Sequence, residues 1–310
     1  MVISRLRYFT FRRVMPYLRH TPLFHMNLAE RAWPVVSSFT EQRQYNGQIE
    51  QINCDTKNEA EISRLLTEYA ETSRPAVFRD YIRAKIFVPG TFDQLKNAVG
   101  ENTGKIRVGD YDKAAGEPDY VKMRVADFID YLVGQTEFPH NERLVEGKGP
   151  YLGNAQFPSI VKQMPHPDFF PTNPDTTFWL GGTSRTPLHC HMYCDVLLTQ
   201  LIGRRRVMLV PPHQATLVGC IPRNINICTA IYDPFEPDQN VLPGGDPINK
   251  LYYELEAGDA LLIPGFWFHA VRLEEPSFAC SQFNDTAMPL AIGGGPRRLW
   301  KERAYTQGWG

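Results

Sequence analysis

Thr186-Pro-Leu-His-Cys-His-Met-Tyr-Cys-Asp195 runs directly into the apolar stretch Val196-Leu-Leu-Thr-Gln-Leu-Ile202 and the turn Gly203-Arg-Arg-Arg206. Side chains alternate along extended chain, so His189 and His191 project to one side and Cys190 to the other. Two imidazoles placed this way can hold one ion together. A third follows in Gly258-Asp-Ala-Leu-Leu-Ile-Pro-Gly-Phe-Trp-Phe-His269, where Pro264-Gly265 closes a strand and aromatics lead into His269. In a rolled sheet that strand can return beside the first, which makes His189, His191 and His269 the candidate metal ligands. Asp195 is a candidate carboxylate ligand if the chain bends at Met192-Tyr193. Its plainer role is that of a strand-start residue, facing solvent or bonding a backbone donor. Cys190 and Cys194 permit a Cys/His zinc site, which the outward side of Cys190 disfavours. His140, His166 and His213 stand in proline-bearing loop contexts without partners and read as surface residues.

Outward from this segment, residues from about 150 onward consist of short apolar runs separated by Pro, Gly and Asn. Examples are Thr177 to Leu180, Arg206 to Val210, Leu251 to Leu255, Ala260 to Ile263, Ala270 to Arg272 and Phe278 to Phe283. Closely spaced strands with turn residues between them indicate a β-sandwich or barrel. Cys220 to Lys250, rich in Pro and Gly, reads as one long loop, and such loops inside compact domains are usually functional covers. The half before residue 150 is mixed. Asn58 to Thr72 carries Ile62, Leu65, Leu66 and Tyr69 at helical spacing, followed by the short strand Pro75 to Phe78. Further helices are predicted at Phe92 to Val99 and Arg124 to Val133, with a strand at Lys105 to Val108. The predicted organisation is a basic arm over 1–35, a mixed helical lead-in over 36–149, a β core over 150–290 and a flexible tail over 291–310.

Composition bounds the function without naming it. The 310 residues are 43% hydrophobic and 22% charged with a net charge of -1, which describes an ordinary folded globule. That balance supplies no overall field for nucleic acid or an anionic membrane. No stretch approaches the ~20 apolar residues that cross a bilayer, so a soluble protein without a membrane span is expected. Six scattered cysteines lack the density of a disulfide scaffold, and a reducing compartment is the simpler reading. From Met1 to Ala29 the chain carries five arginines and no acidic residue. That composition suits a mitochondrial transit peptide, or else a solvated basic arm.

The order of motifs resembles the jumonji-C branch of the cupin superfamily. That family shows a Thr-Pro-Leu-His-x-Asp strand, a Gln before a basic Gly turn, Pro-Pro, and finally Gly-Asp-x-Leu-x-Ile-Pro-x-x-Trp-x-His. Here the matching residues are Thr186 to His189, Gln200, Gly203 to Arg206, Pro211-Pro212 and Gly258 through His269, with a family-like lead-in that extends the likeness over about residues 58 to 285. The resemblance implies a mainly β, jelly-roll double-stranded β-helix of cupin type preceded by a mixed α/β lead-in. It also implies iron(II) at the histidines and 2-oxoglutarate as co-substrate of an oxygenase, acting on a small-molecule or protein substrate that the sequence does not identify. By position, Arg205 stands where the family places the lysine that grips the far carboxylate of 2-oxoglutarate. Tyr151 and Thr186 resemble its hydroxyl donors, and Ser281 falls near its last-strand asparagine. His191 departs from the pattern, replacing the carboxylate of the facial triad that suits non-haem iron. Two alternatives follow: a three-histidine metal dioxygenase that uses no 2-oxoglutarate, and a catalytically silent binding module of the same fold.

Overall fold

The computed structural model describes the chain from residue 37 to 284, apart from 38–39, 42, 44, 46, 83–88, 109–118, 145–148, 171–173, 192–193, 223–226 and 237–246. The basic arm expected over 1–35 and the tail expected over 291–310 lie outside the described residues.

The lead-in comprises β1 (Glu50–Asn53), α1 (Glu59–Glu71), β2 (Ala76–Arg79), α2 (Phe92–Val99), β3 (Thr103–Val108), β4 (Asp119–Arg124) and α3 (Val125–Leu132). β5 (Tyr151–Ala155) and α4 (Pro158–Val161) follow. Strands then dominate: β6 (Asp175–Gly181), β7 (Ser184–Arg185), β8 (His189–His191), β9 (Asp195–Ile202), β10 (Arg205–Val210) and β11 (Cys220–Pro222). β12 (Ile227–Ala230), β13 (Leu251–Leu255), β14 (Ala260–Ile263), β15 (Phe268–Leu273) and β16 (Ser277–Asn284) complete the order.

α1 begins where the sequence predicts, because Asn58 caps it. The Asn58 side chain accepts from Glu61 N–H at 2.9 Å and Glu61 accepts from Asn58 N–H at 2.8 Å. This reciprocal box contributes about 1 kcal/mol. Ile62, Leu66 and Tyr69 then pack on Ala76, Phe78 and Leu262 at the outer face of the larger sheet.

Two open sheets form the body. One runs β1-β2-β14-β9-β16-β6-β5-β3-β4 and the other β11-β12-β8-β15-β10-β13, with β7 paired to β15. Strands adjacent in sequence fall in opposite sheets: β8 and β9, β9 and β10, β13 and β14, β15 and β16. The chain thus crosses between sheets at successive turns, which makes the architecture a jelly roll. The core between the sheets joins Val196, Leu198, Leu261 and Ile263 to Val207, Leu209, Leu251 and Trp267. Leu197 and Leu262 alternate outward beneath α1, while Leu95, Phe128 and Ile160 of the remaining helices cover Phe178 and Phe278. Buried on both faces, β9 reads as a continuous apolar run rather than an alternating one.

One expectation is corrected. Cys220 to Lys250 is not one loop: β11 and β12 lie within it, and β12 pairs with β8, placing Ile227 opposite His191 and Thr229 opposite His189. A strand carrying ligands would otherwise offer a bare edge, and Ile227 to Ala230 fills it. Asp119 to Arg124 forms β4, an edge strand ahead of α3 that the sequence did not signal. Among the described residues no helix is long and apolar enough to cross a membrane.

Candidate metal centre

β8 is held between β12 and β15, with His189 directly opposite His269 in the antiparallel register. The turn ahead of β15 fixes the approach of the third imidazole. Gly265 N–H donates to the Asp195 carboxylate at 3.0 Å and Phe266 N–H donates to the His191 carbonyl at 2.7 Å. Phe266 is held there at φ 70, a conformation a bulky residue adopts only when its surroundings impose it. The buried Trp267 donates its indole N–H to Ser73, at 3.1 Å to the hydroxyl and 3.2 Å to the carbonyl. His269, two residues on, is thereby aimed at β8.

The ligating atoms of His189, His191 and His269 all lie within 4.8 Å of one another. Nδ1 of His189 lies 2.9 Å from the Pro187 carbonyl and Nδ1 of His269 lies 3.2 Å from the Trp267 carbonyl. A carbonyl can only accept, so each Nδ1 carries the proton and each Nε2 keeps its lone pair for an ion. Phe283 packs edge-on against His191 with ring centroids 5.3 Å apart. Three imidazole nitrogens gathered in one place suit a borderline divalent metal such as iron, zinc or copper.

Burial pushes the His191 imidazole down to about 3, with His189 beside it acting in the same direction. His269 is held well below its ordinary value by burial and by its two imidazole neighbours. Both therefore stay neutral and ready to ligate at neutral pH. In the metal-free protein this carries a sign. Below about pH 6.5, the ordinary imidazole value, the unfolded chain takes up protons that the folded chain refuses, so stability falls with falling pH. Metal-free protein is expected to melt progressively lower as the buffer goes from about pH 7.5 to about 5. His269→Ala removes part of that dependence, and an unchanged slope would contradict neutral burial of the ring.

The imidazoles open into a cavity of about 250 Å³ between the sheets, and Tyr151, Thr186, Arg205 and Ser281 all line it. Arg205 is 4% exposed whereas Arg204 and Arg206, on the opposite side of the strand, meet Glu254, Glu274 and Glu275 at the surface. Its Nη2 donates to the Ser277 hydroxyl at 3.0 Å, and its buried Nε has no hydrogen-bond partner. Burial pulls the guanidinium down to about 10, still cationic at neutral pH, with Tyr151 and Cys280 opposing the shift. A buried donor left over on a cavity-lining arginine points to an anion. Thr186 accepts from Val271 N–H at 2.9 Å and keeps its own O–H to give. Ser281 accepts from Trp179 Nε1 at 2.8 Å, and that indole stacks on Tyr151 at 5.9 Å.

The other sequence candidates fall elsewhere. Asp195 is 1% exposed and serves the Gly265 N–H as a backbone acceptor, so it faces neither solvent nor the histidine group. Cys190 is fully buried in the cluster on the outer face of the smaller sheet. Of the three histidines read as surface residues, His166 is exposed. His140 and His213 are half-buried, and His213 stacks on Tyr45. Sequence reasoning missed Lys105, Arg107, Tyr120 and Trp179 in the cavity wall. The alternation in Lys105-Ile-Arg-Val108 was the available signal.

Residues 62–286 match the cupin-like domain family. The chain belongs to that family. Among similar cupin-like proteins, Jumonji C domain-containing protein 5 of Drosophila melanogaster is 25% identical over 195 residues, 60% of this chain and 48% of the relative. The tRNA wybutosine-synthesizing protein 5 of Gallus gallus is 24% identical over 240 residues, covering 71% of this chain and 73% of its own length. Its Homo sapiens counterpart is 27% identical over 208 residues, with 60% and 62% covered. The chain thus spans about half the length of the Drosophila relative and under two thirds of the human one.

Proposed function

We propose that the chain is an iron(II)- and 2-oxoglutarate-dependent oxygenase of jumonji-C type. What carries the proposal is one cavity that joins three converging imidazoles to a buried arginine with an unused donor. Iron(II) bound at His189, His191 and His269 would supply the activation of dioxygen, coupled to decarboxylation of 2-oxoglutarate to succinate. The chain's residues do the positioning. Arg205, steadied by Ser277, grips the carboxylate remote from the metal, and Tyr151 and Thr186 offer hydroxyl donors toward it. Val196, Leu198 and Ile263 keep the wall between them apolar, so charge interactions there are weakly screened.

Protein loaded with iron(II) under nitrogen and then given oxygen is expected to convert 2-oxoglutarate to succinate, even without substrate. His191 favours a second reading, a three-histidine dioxygenase without 2-oxoglutarate, because an imidazole in the carboxylate's place leaves the ion one unit more positive. Iron binding with oxygen uptake but no succinate would select that reading. Failure to take up metal at all would leave a silent binding module. His191→Asp recreates the two-histidine, one-carboxylate set and is expected to raise 2-oxoglutarate-coupled oxygen consumption above wild type.

A further inference from the structure

Helix α1 ends in a turn that ordinarily takes glycine. Ser73 N–H donates to the Ala70 carbonyl at 3.0 Å and Arg74 N–H donates to the Tyr69 carbonyl at 2.8 Å, the paired bonds that close a helix through one left-handed residue. That residue is Ser73, at φ 51. Glycine meets no steric penalty in this region, whereas a residue with a Cβ does. Strain of this kind persists only where the surroundings impose it, and it gathers at functional sites.

The Ser73 side chain makes a contact far along the chain. Ser73 is completely buried, and its hydroxyl accepts the indole N–H of Trp267 at 3.1 Å. The Ser73 carbonyl, 3.2 Å from the same indole nitrogen, also receives Arg43 Nη1 at 3.2 Å. Tyr45 stands edge-on against the indole, with ring centroids 5.5 Å apart. The indole is thus fixed by the end of α1 and by the segment ahead of β1. The Trp267 backbone carbonyl in turn lies 3.2 Å from His269 Nδ1. That bond keeps the ring proton on Nδ1 and leaves Nε2 to the ion. A serine at the end of a helix outside the rolled sheet therefore reaches a metal ligand through a single residue.

We propose that Ser73 is a positioning residue of the metal centre: its hydroxyl anchors Trp267, and Trp267 holds the His269 ring at the angle the ion requires. This rests on the three-imidazole centre of the proposed function and is independent of 2-oxoglutarate. The left-handed serine and the metal site are two ends of one chain of contacts.

The test reads cobalt(II) affinity and melting temperature on the same variants of the full chain. Cobalt(II) suits imidazole donors, and its visible bands report how the ligands are arranged. Ser73→Gly removes the hydroxyl and the strain together, while Ser73→Ala removes the hydroxyl and keeps the strain. Metal-free Ser73→Gly is therefore expected to melt above Ser73→Ala. Both are expected to bind cobalt(II) about fivefold more weakly than wild type, with the same altered bands, because both lose the anchor. In a Trp267→Phe background, which already lacks the indole N–H, Ser73→Gly is expected to change affinity by less than about twofold. The inference is overturned if either serine variant keeps wild-type affinity, if affinity follows melting temperature across the two, or if Ser73→Gly weakens binding as much in the Trp267→Phe background as in wild type. Those results leave the three-imidazole centre standing. A wild-type chain that takes up no cobalt(II) overturns the centre itself, and the role of Ser73 with it.

Discussion

His269→Ala is expected to lower iron(II) affinity by on the order of a hundredfold or more, with loss of any metal-dependent turnover. The imidazole is the ligand supplied by the returning strand, opposite His189, and without it only the two imidazoles of β8 remain of the three. The side chain lines a cavity, so its truncation removes little packing. At about pH 7.5, above the range where the buried imidazole costs stability, the metal-free variant is expected to melt close to wild type, which separates lost ligation from lost fold. His166→Ala, at an exposed position, is the control and is expected to keep full metal stoichiometry. Retention of tight iron binding by His269→Ala would show that the three rings do not form one centre.

Arg205→Gln is expected to raise the Kd for 2-oxoglutarate by on the order of a hundredfold, about 3 kcal/mol, since it removes two charge-assisted hydrogen bonds in a buried setting. Iron affinity is expected to remain unchanged, because Arg205 stands on β10 and is no ligand. Arg205→Lys keeps the charge and loses the planar fork, so a smaller loss of roughly tenfold is expected. An anion docked against Arg205 also reverses the downward shift that burial imposes, so binding tightens the guanidinium's hold on its proton. Unaltered 2-oxoglutarate binding in Arg205→Gln would remove the co-substrate from this cavity and leave the three-histidine reading.

Much of this was legible because it depends on local chemistry. Period-two alternation placed His189 and His191 together and Cys190 opposite, and it turned Arg205 inward between Arg204 and Arg206. Helical spacing found the buried faces of α1 and α3, and the Pro264-Gly265 pair marked where a strand had to stop. The misses have a common cause. β12 is a short run between turn residues, and only the open edge of β8 makes it a strand. The face that Asp195 presents depends on Gly265, 70 residues later, whose N–H it receives. Arg107 sits in an alternation that names two faces without saying which one meets a core and which a cavity.

The sequence by itself determined the strand periodicity, the two-histidine spacing and the family frame, because each is written in neighbouring residues and in the directions their side chains must take. Only the tertiary structure decided that His269 returns opposite His189, that Arg107 and Arg205 face one cavity from different sheets, and that Asp195 bonds backbone. Those facts depend on strand pairing and sheet stacking between residues far apart in the chain, where contact is set by the packing of whole layers.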